Sequence, residues 1–291
     1  WIEANIDSFQ RLLRPLAGKL ASKEKSFLGE FGIKASGAEM GMLLGWMSGR
    51  VLGQYDLLIV EDENPEDQDM VYYVGPNVLA LESKYGFPPE EFRLWLALHE
   101  CTHRAQFTGV PWLRDHFLGL VNQTLDTVDP DPEILKEAVS RIIEAKKNGE
   151  DPFAEGGIPN LLTTPKQRET INQISGMMSL LEGHGDVTMD RAGVDHIPSA
   201  SYFAKTLRDR RNSAEGLSRI FQKIIGLEAK LNQYQAGEAF ISAVESVGGQ
   251  QLLNRAWEKP ENLPSMEEIQ LPDLWISRIK DEPEKTSSIG A

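Results

Sequence analysis

The segment Leu98-His99-Glu100-Cys101-Thr102-His103 sets two imidazoles four residues apart, with a carboxylate beside the first. On a helix, residues four apart sit about one turn apart on one face. Two imidazoles so placed can grip a single ion, and zinc suits imidazole nitrogen without bringing redox chemistry. Glu100 can reach water at such an ion, take its proton and later deliver it to a leaving group. The chain holds only 5 histidines, so a chance His-Glu-x-x-His is uncommon. The flank Phe92-Arg93-Leu94-Trp95-Leu96-Ala97-Leu98 reads as a buried helix, where polar side chains without partners are costly.

A catalytic zinc takes three protein ligands and keeps one open position. Position 109 is Gly, so there is no third histidine six residues beyond the second. Leu181-Glu182-Gly183-His184-Gly185-Asp186 is the better source. Glu182 and Asp186 are four apart on an expected helix: Glu182 is the expected third ligand, and Asp186 stands behind it to orient a ligand imidazole. His184 is the competing ligand. Residues two apart point about 200° apart on a helix, so Glu182 and His184 cannot both face one ion. Gly183 and Gly185 weaken the helix and leave the alternative open.

Other residues carry weaker signals. Cys101 points away from the His99/His103 side and is expected to be a buried structural thiol rather than a nucleophile. His116 and His196 read as ordinary polar or packing residues. Tyr202, Arg208, Arg210 and Arg211 are candidates to stabilise a tetrahedral intermediate; Trp112 and Arg114 are candidates to line the cleft, with core packing an equal alternative for Trp112.

Several elements must position these groups. Pro88-Pro89-Glu90-Glu91 opens the motif helix, with proline in the first turn and acids at the positive end of the dipole; Gly109 and Pro111 close it near Phe107. Helices are expected over Ile6–Leu20, Ala38–Leu52, Trp112–Leu125, Pro132–Lys147, Thr164–Arg191, Gly216–Tyr234, Gly237–Ser246 and Gln250–Trp257. Leu57–Val60 and Val71–Val74 flank an acidic loop, Glu61–Asp67, and suggest a hairpin. Asn148–Pro159 reads as a loop, and the proline-bearing tail from Lys259 ends in a frayed Lys285–Ala291. The expected fold is mainly α, one domain over 1–291, with N-terminal helices over 1–53 and the core and C-terminal helices over 54–291.

The bulk properties narrow the function. At 41% hydrophobic and 25% charged residues, 291 residues can bury a sizeable core. A net charge of −14 argues against nucleic acid as a partner. One cysteine gives no sign of an oxidising compartment, and no apolar run reaches membrane-spanning length. No basic-then-apolar segment is seen at the start of the sequence, which begins with Trp1 rather than Met and is open to an upstream piece having been removed; a cytoplasmic location is the default expectation.

These residues resemble the gluzincin arrangement, His99-Glu100-x-x-His103 followed by Glu182-x-x-x-Asp186. More broadly, Phe92–Phe117, Leu180–Asp190, Gly216–Phe240 and Trp257–Trp275 resemble the zincin-like metallopeptidases grouped as coenzyme F420 biosynthesis-associated hydrolases. The resemblance implies a mostly α, zincin-like metallopeptidase fold with a small sheet beside the active-site helix. It implies Zn2+ as cofactor and a peptide or protein as substrate. The competing reading is a catalytically silent, zinc-stabilised scaffold or binding protein, which has no need of Glu100.

Overall fold

The structure, a computed structural model, describes residues 5–6, 41, 44–45, 47–55, 69–126, 165–193, 195–212 and 227–281. The expected helices over Ile6–Leu20 and Pro132–Lys147, the strand Leu57–Val60, the acidic loop, the loop Asn148–Pro159 and the frayed tail lie essentially outside these residues.

The described chain is mainly helical, with one two-stranded antiparallel sheet. Strand β1 (Gly53–Tyr55) pairs with β2 (Val71–Tyr73), Gly53 opposite Tyr73 and Tyr55 opposite Val71. The strand that pairs with β2 among the described residues is Gly53–Tyr55, ahead of the expected Leu57–Val60, which lies outside them. Tyr55 decides the register: its ring is buried against Phe107, and its hydroxyl donates to Asp69 at 2.6 Å.

Helix α1 (Gly75–Tyr85) follows, unforeseen because it buries only a short stripe, Val78, Leu81 and Glu82. Helix α2 (Pro89–Gly109) carries the motif. Pro89 sits in its first turn with Glu90 and Glu91, as the dipole favours. Phe92, Trp95 and Leu96 form its buried stripe; His99, Glu100 and His103 continue the same helical spacing, and Gln106 and Phe107 complete it. Helices α3 (Leu113–Asp126), α4 (Pro165–Gly193), α5 (Ala200–Asn212) and α6 (Leu227–Asn254) come next.

Helix α6 takes in parts of three runs that periodicity separates, Gly216–Tyr234, Gly237–Ser246 and Gln250–Trp257; its kink is at Gly249, where φ is 61°. It packs along α4, Phe240, Ile241 and Val244 meeting Leu180. The two backbones nearly touch: a Cβ on Gly183 would come within 2.4 Å of the Gly237 carbonyl carbon, and one on Gly237 within 2.1 Å of the Ser179 oxygen. Only glycine fits there.

The segment beyond Lys259 is no loose tail as far as Asp281. Two short helices, α7 (Met266–Gln270) and α8 (Pro272–Asp281), close the core against α4 and α6. Ser265 and Glu268 form a capping box, Arg278 grips both Glu268 oxygens at 2.6 and 3.0 Å, and the buried Trp275 donates to the Asn262 carbonyl at 2.7 Å. The prolines here start helices and turns rather than breaking them. Among the described residues, no helix is long and apolar enough to cross a membrane.

Candidate metal centre

Helix α4 crosses α2 at the motif and β1 runs beside it. Among the described residues, His99, His103 and Glu182 form the one cluster of three potential ligands, each offering an atom within 4.8 Å of the others. The Nε2 atoms of His99 and His103 are 3.3 Å apart, and Glu182 Oε2 is 3.5 Å from His103 Nε2. Ligand atoms around a tetrahedral zinc at ordinary bond lengths lie about 3.3 Å apart, so the donor set fits such an ion in both kind and spacing.

Hydrogen bonds behind the rings strengthen that fit. Gln106, buried three residues beyond His103, donates its amide to the Leu181 carbonyl at 2.8 Å and faces His184 Nδ1 at 3.1 Å. Its Oε1 is thereby turned to His103 Nδ1, 3.0 Å away. An acceptor there keeps a proton on Nδ1 and leaves the Nε2 lone pair for an ion. His99 directs Nδ1 at the Met189 sulfur, 3.3 Å away, and its ring stacks on Trp95 with an interplanar angle of 13°. Two imidazoles thus turn their Nε2 atoms to a common point.

Glu100 is buried at 6% exposure. Burial, opposed by His103 but reinforced by Glu182, pushes its carboxyl up to about 7, while the Tyr55 backbone N–H donates to it and favours the carboxylate. Gly53 makes room for it: a Cβ at that position would lie 2.5 Å from Glu100 Oε1. Burial alone would lower His103, yet Glu182, Gln106 and Glu100 together push it up to about 9 in the metal-free site.

A cavity of about 350 Å³ opens onto His99 and Glu100. Trp95, Leu96, Met189 and Leu207 give it an apolar lining, and Asp186 lines it too. Arg50, Arg208 and Arg210 reach it from the segment before β1 and from α5.

The remaining candidates divide. His184 is spent on Gln106 and packs edge-on against Trp257, its pKa lowered chiefly by burial. Cys101 is exposed, not buried, because only the opposite side of α2 is covered. Tyr202 donates to the Tyr85 carbonyl at 2.9 Å and packs edge-on against Phe87, so it ties α5 to α1. Trp112 donates to the Trp257 carbonyl at 3.2 Å, and Arg114 holds Asp69 and Tyr55, so both brace the scaffold instead of lining the cleft. His116 lies edge-on to Trp112, and His196 is exposed. The side chain of Arg211 lies outside the described residues. Sequence reasoning missed Gln106, Gly53 and Arg50. Of these only Gln106 had a signal, a polar residue at i+3 from His103 on the buried stripe.

The sequence pattern of the zincin-like metallopeptidases matches residues 1–276. A crystal structure from Chloroflexus aurantiacus, described as "a putative hydrolase with a novel fold", is similar at 34% identity with a TM-score of 0.68, covering 97% of this chain and 78% of its own. No curated protein matches.

Proposed function

The chain belongs to the zincin-like metallopeptidase family, and from that membership we propose that it is a zinc-dependent hydrolase of peptide or peptide-like amide bonds. The observation that carries the reading is the convergence of His99, His103 and Glu182 from two helices, with buried Glu100 alongside. His99, His103 and Glu182 hold the ion. Zinc there supplies Lewis acidity, polarising a carbonyl and making water easier to deprotonate.

Glu100 takes a proton from the attacking water and returns it to the leaving nitrogen. Its carboxyl sits near 7 without metal, so a cation alongside tips it to the carboxylate at neutral pH. The Tyr55 N–H holds the carboxylate in place, and Gln106 fixes His103 as a neutral ligand. Asp186, expected behind the ligands, lines the cavity that opens onto His99 and Glu100, while the Nδ1 atoms of His103 and His99 face Gln106 and Met189.

The test pairs metal content with turnover. The purified chain should carry about one zinc, and His99→Ala, His103→Ala and Glu182→Ala should each lose it. Glu100→Gln should keep the metal and lose roughly two to four orders of magnitude of hydrolysis on any peptide the wild type cleaves. Full zinc loading in the His99→Ala/His103→Ala double variant, or undiminished turnover by Glu100→Gln, would overturn the reading.

A further inference from the structure

The cavity that opens onto His99 and Glu100 is lined unevenly. Three of its most deeply buried walls are apolar: Met189, Leu96 and Trp95 are 3%, 4% and 8% exposed. Leu52, Ala204 and Leu207, half-buried, complete that apolar part. Glu100 aside, none of the charged residues described as lining it is buried. Arg50 and Asp190 are exposed, and Arg208 meets Glu238 at 3.9 Å with the two side chains 42% and 37% exposed. The charges therefore stand at the mouth, and the interior beside the reacting groups is hydrocarbon. Covering such a wall with an apolar group releases the water held against it.

Helix α5 limits what can enter. Ala204 and Leu207 are three residues apart on it and so share a face, the one turned to the cavity. The helix is firmly seated. Fully buried Phe203 packs edge-on against Phe87, Phe92 and Trp95, with ring centroids 4.9, 5.3 and 6.2 Å away. Just before the helix, the Ser199 N–H donates to the Glu91 carboxylate at 2.8 Å, and Tyr202 donates to the Tyr85 carbonyl. A wall carried on so fixed an element does not give way to a misfit. The short side chain at 204 then decides how much room remains.

We propose that this wall is a specificity pocket for one bulky apolar side chain next to the scissile bond, and that Ala204 sets its size. About 350 Å³ is near the lower end of small-molecule sites, room for a Leu- or Phe-sized group and the backbone that carries it. This inference rests on the hydrolase reading, since it takes the motif as the place where the bond is cut.

Zinc-binding probes test it without turnover. Acetohydroxamic acid carries only a methyl group, and hydrocinnamohydroxamic acid carries a phenylethyl tail on the same zinc-binding head. Each is titrated calorimetrically into the zinc-loaded chain. The phenyl-bearing probe should bind about 10-fold or more tightly, as expected when a Phe-sized group is buried. Ala204→Phe fills the pocket and should bring that ratio close to one, while Ala204→Gly should keep it. Ala204→Val is a milder filling that carries the test if the larger residue unsettles α5, and it should lower the ratio part of the way. Zinc content and circular dichroism of each variant show that the fold and the metal site survive. Equal binding of the two probes by the zinc-loaded wild type overturns the inference. So does an undiminished ratio in Ala204→Phe or Ala204→Val protein that keeps its zinc. Either result leaves the hydrolase reading standing, whereas a chain that takes up no zinc ends that reading first and this inference with it.

Discussion

Gln106 shows how one buried amide can set the chemistry of a neighbour. The Leu181 carbonyl takes its N–H, so its oxygen must face His103 Nδ1. Gln106→Leu removes that acceptor and leaves a buried N–H unpaired, which costs about 1–3 kcal/mol. Zinc affinity should fall about 10- to 100-fold, the usual size of a lost partner behind a ligand, as read by competition with a chelator; an unchanged affinity would remove Gln106 from this role. Protons give a second test at this scale. In the metal-free chain Glu100 is raised from 4.5 to about 7 and His103 from 6.5 to about 9. The folded state therefore binds protons more tightly than the unfolded one. Metal-free stability should fall as pH rises, from 4.5 to about 7 through Glu100 and from 6.5 to about 9 through His103. Zinc displaces the His103 proton, so its affinity should climb over the same range. Melting temperatures taken with zinc and with a chelator should diverge as pH increases; a zinc-induced shift that shrinks with pH would contradict the assignment.

At the scale of elements, the centre depends on how closely α4 approaches both α2 and α6. Glu182 immediately precedes Gly183, the residue that lets α4 touch α6 at Gly237. Gly183→Ala puts a methyl 2.4 Å from the Gly237 carbonyl carbon, and such overpacking costs about 1–3 kcal/mol. The helices must then part, and Glu182 moves with its turn. The variant should melt lower and bind zinc more weakly, whereas Gly109→Ala, where nothing lies within 4 Å, should do neither. Equal zinc affinity in a Gly183→Ala protein of lowered stability would uncouple the helix contact from the site. The sheet follows the same logic. Tyr55 is held by Phe107 and Asp69, which sets β1 against α2 and aims its backbone N–H at Glu100.

For the whole molecule, the C-terminal helices complete the core on which α4 and α6 rest. Trp275 is fully buried beside Phe240 with ring centroids 5.4 Å apart, and Trp275→Ala should cost about 3–5 kcal/mol, measured by denaturant unfolding. A loss under about 1 kcal/mol would show that α8 is dispensable to this core. Much of the site was legible from local spacing. That His99 and His103 share one face of a helix follows from a step of four residues, with Glu100 three before His103 at its edge, and the sharing of a face by Glu182 and Asp186 on a second helix follows from the same rule. Proline and acids mark where α2 begins, and the glycine near its end marks where it stops. What spacing cannot say is which helices meet. Only the tertiary structure brought Glu182 to His103, turned Gln106 behind it, set Gly53 against Glu100 and brought Arg50, Arg208 and Arg210 to one cavity. It also paired β2 with Gly53–Tyr55 and folded the proline-bearing tail into the core. These are contacts between segments distant in the chain, fixed by the fit of particular side chains, while a hydropathy pattern records only that a face is apolar.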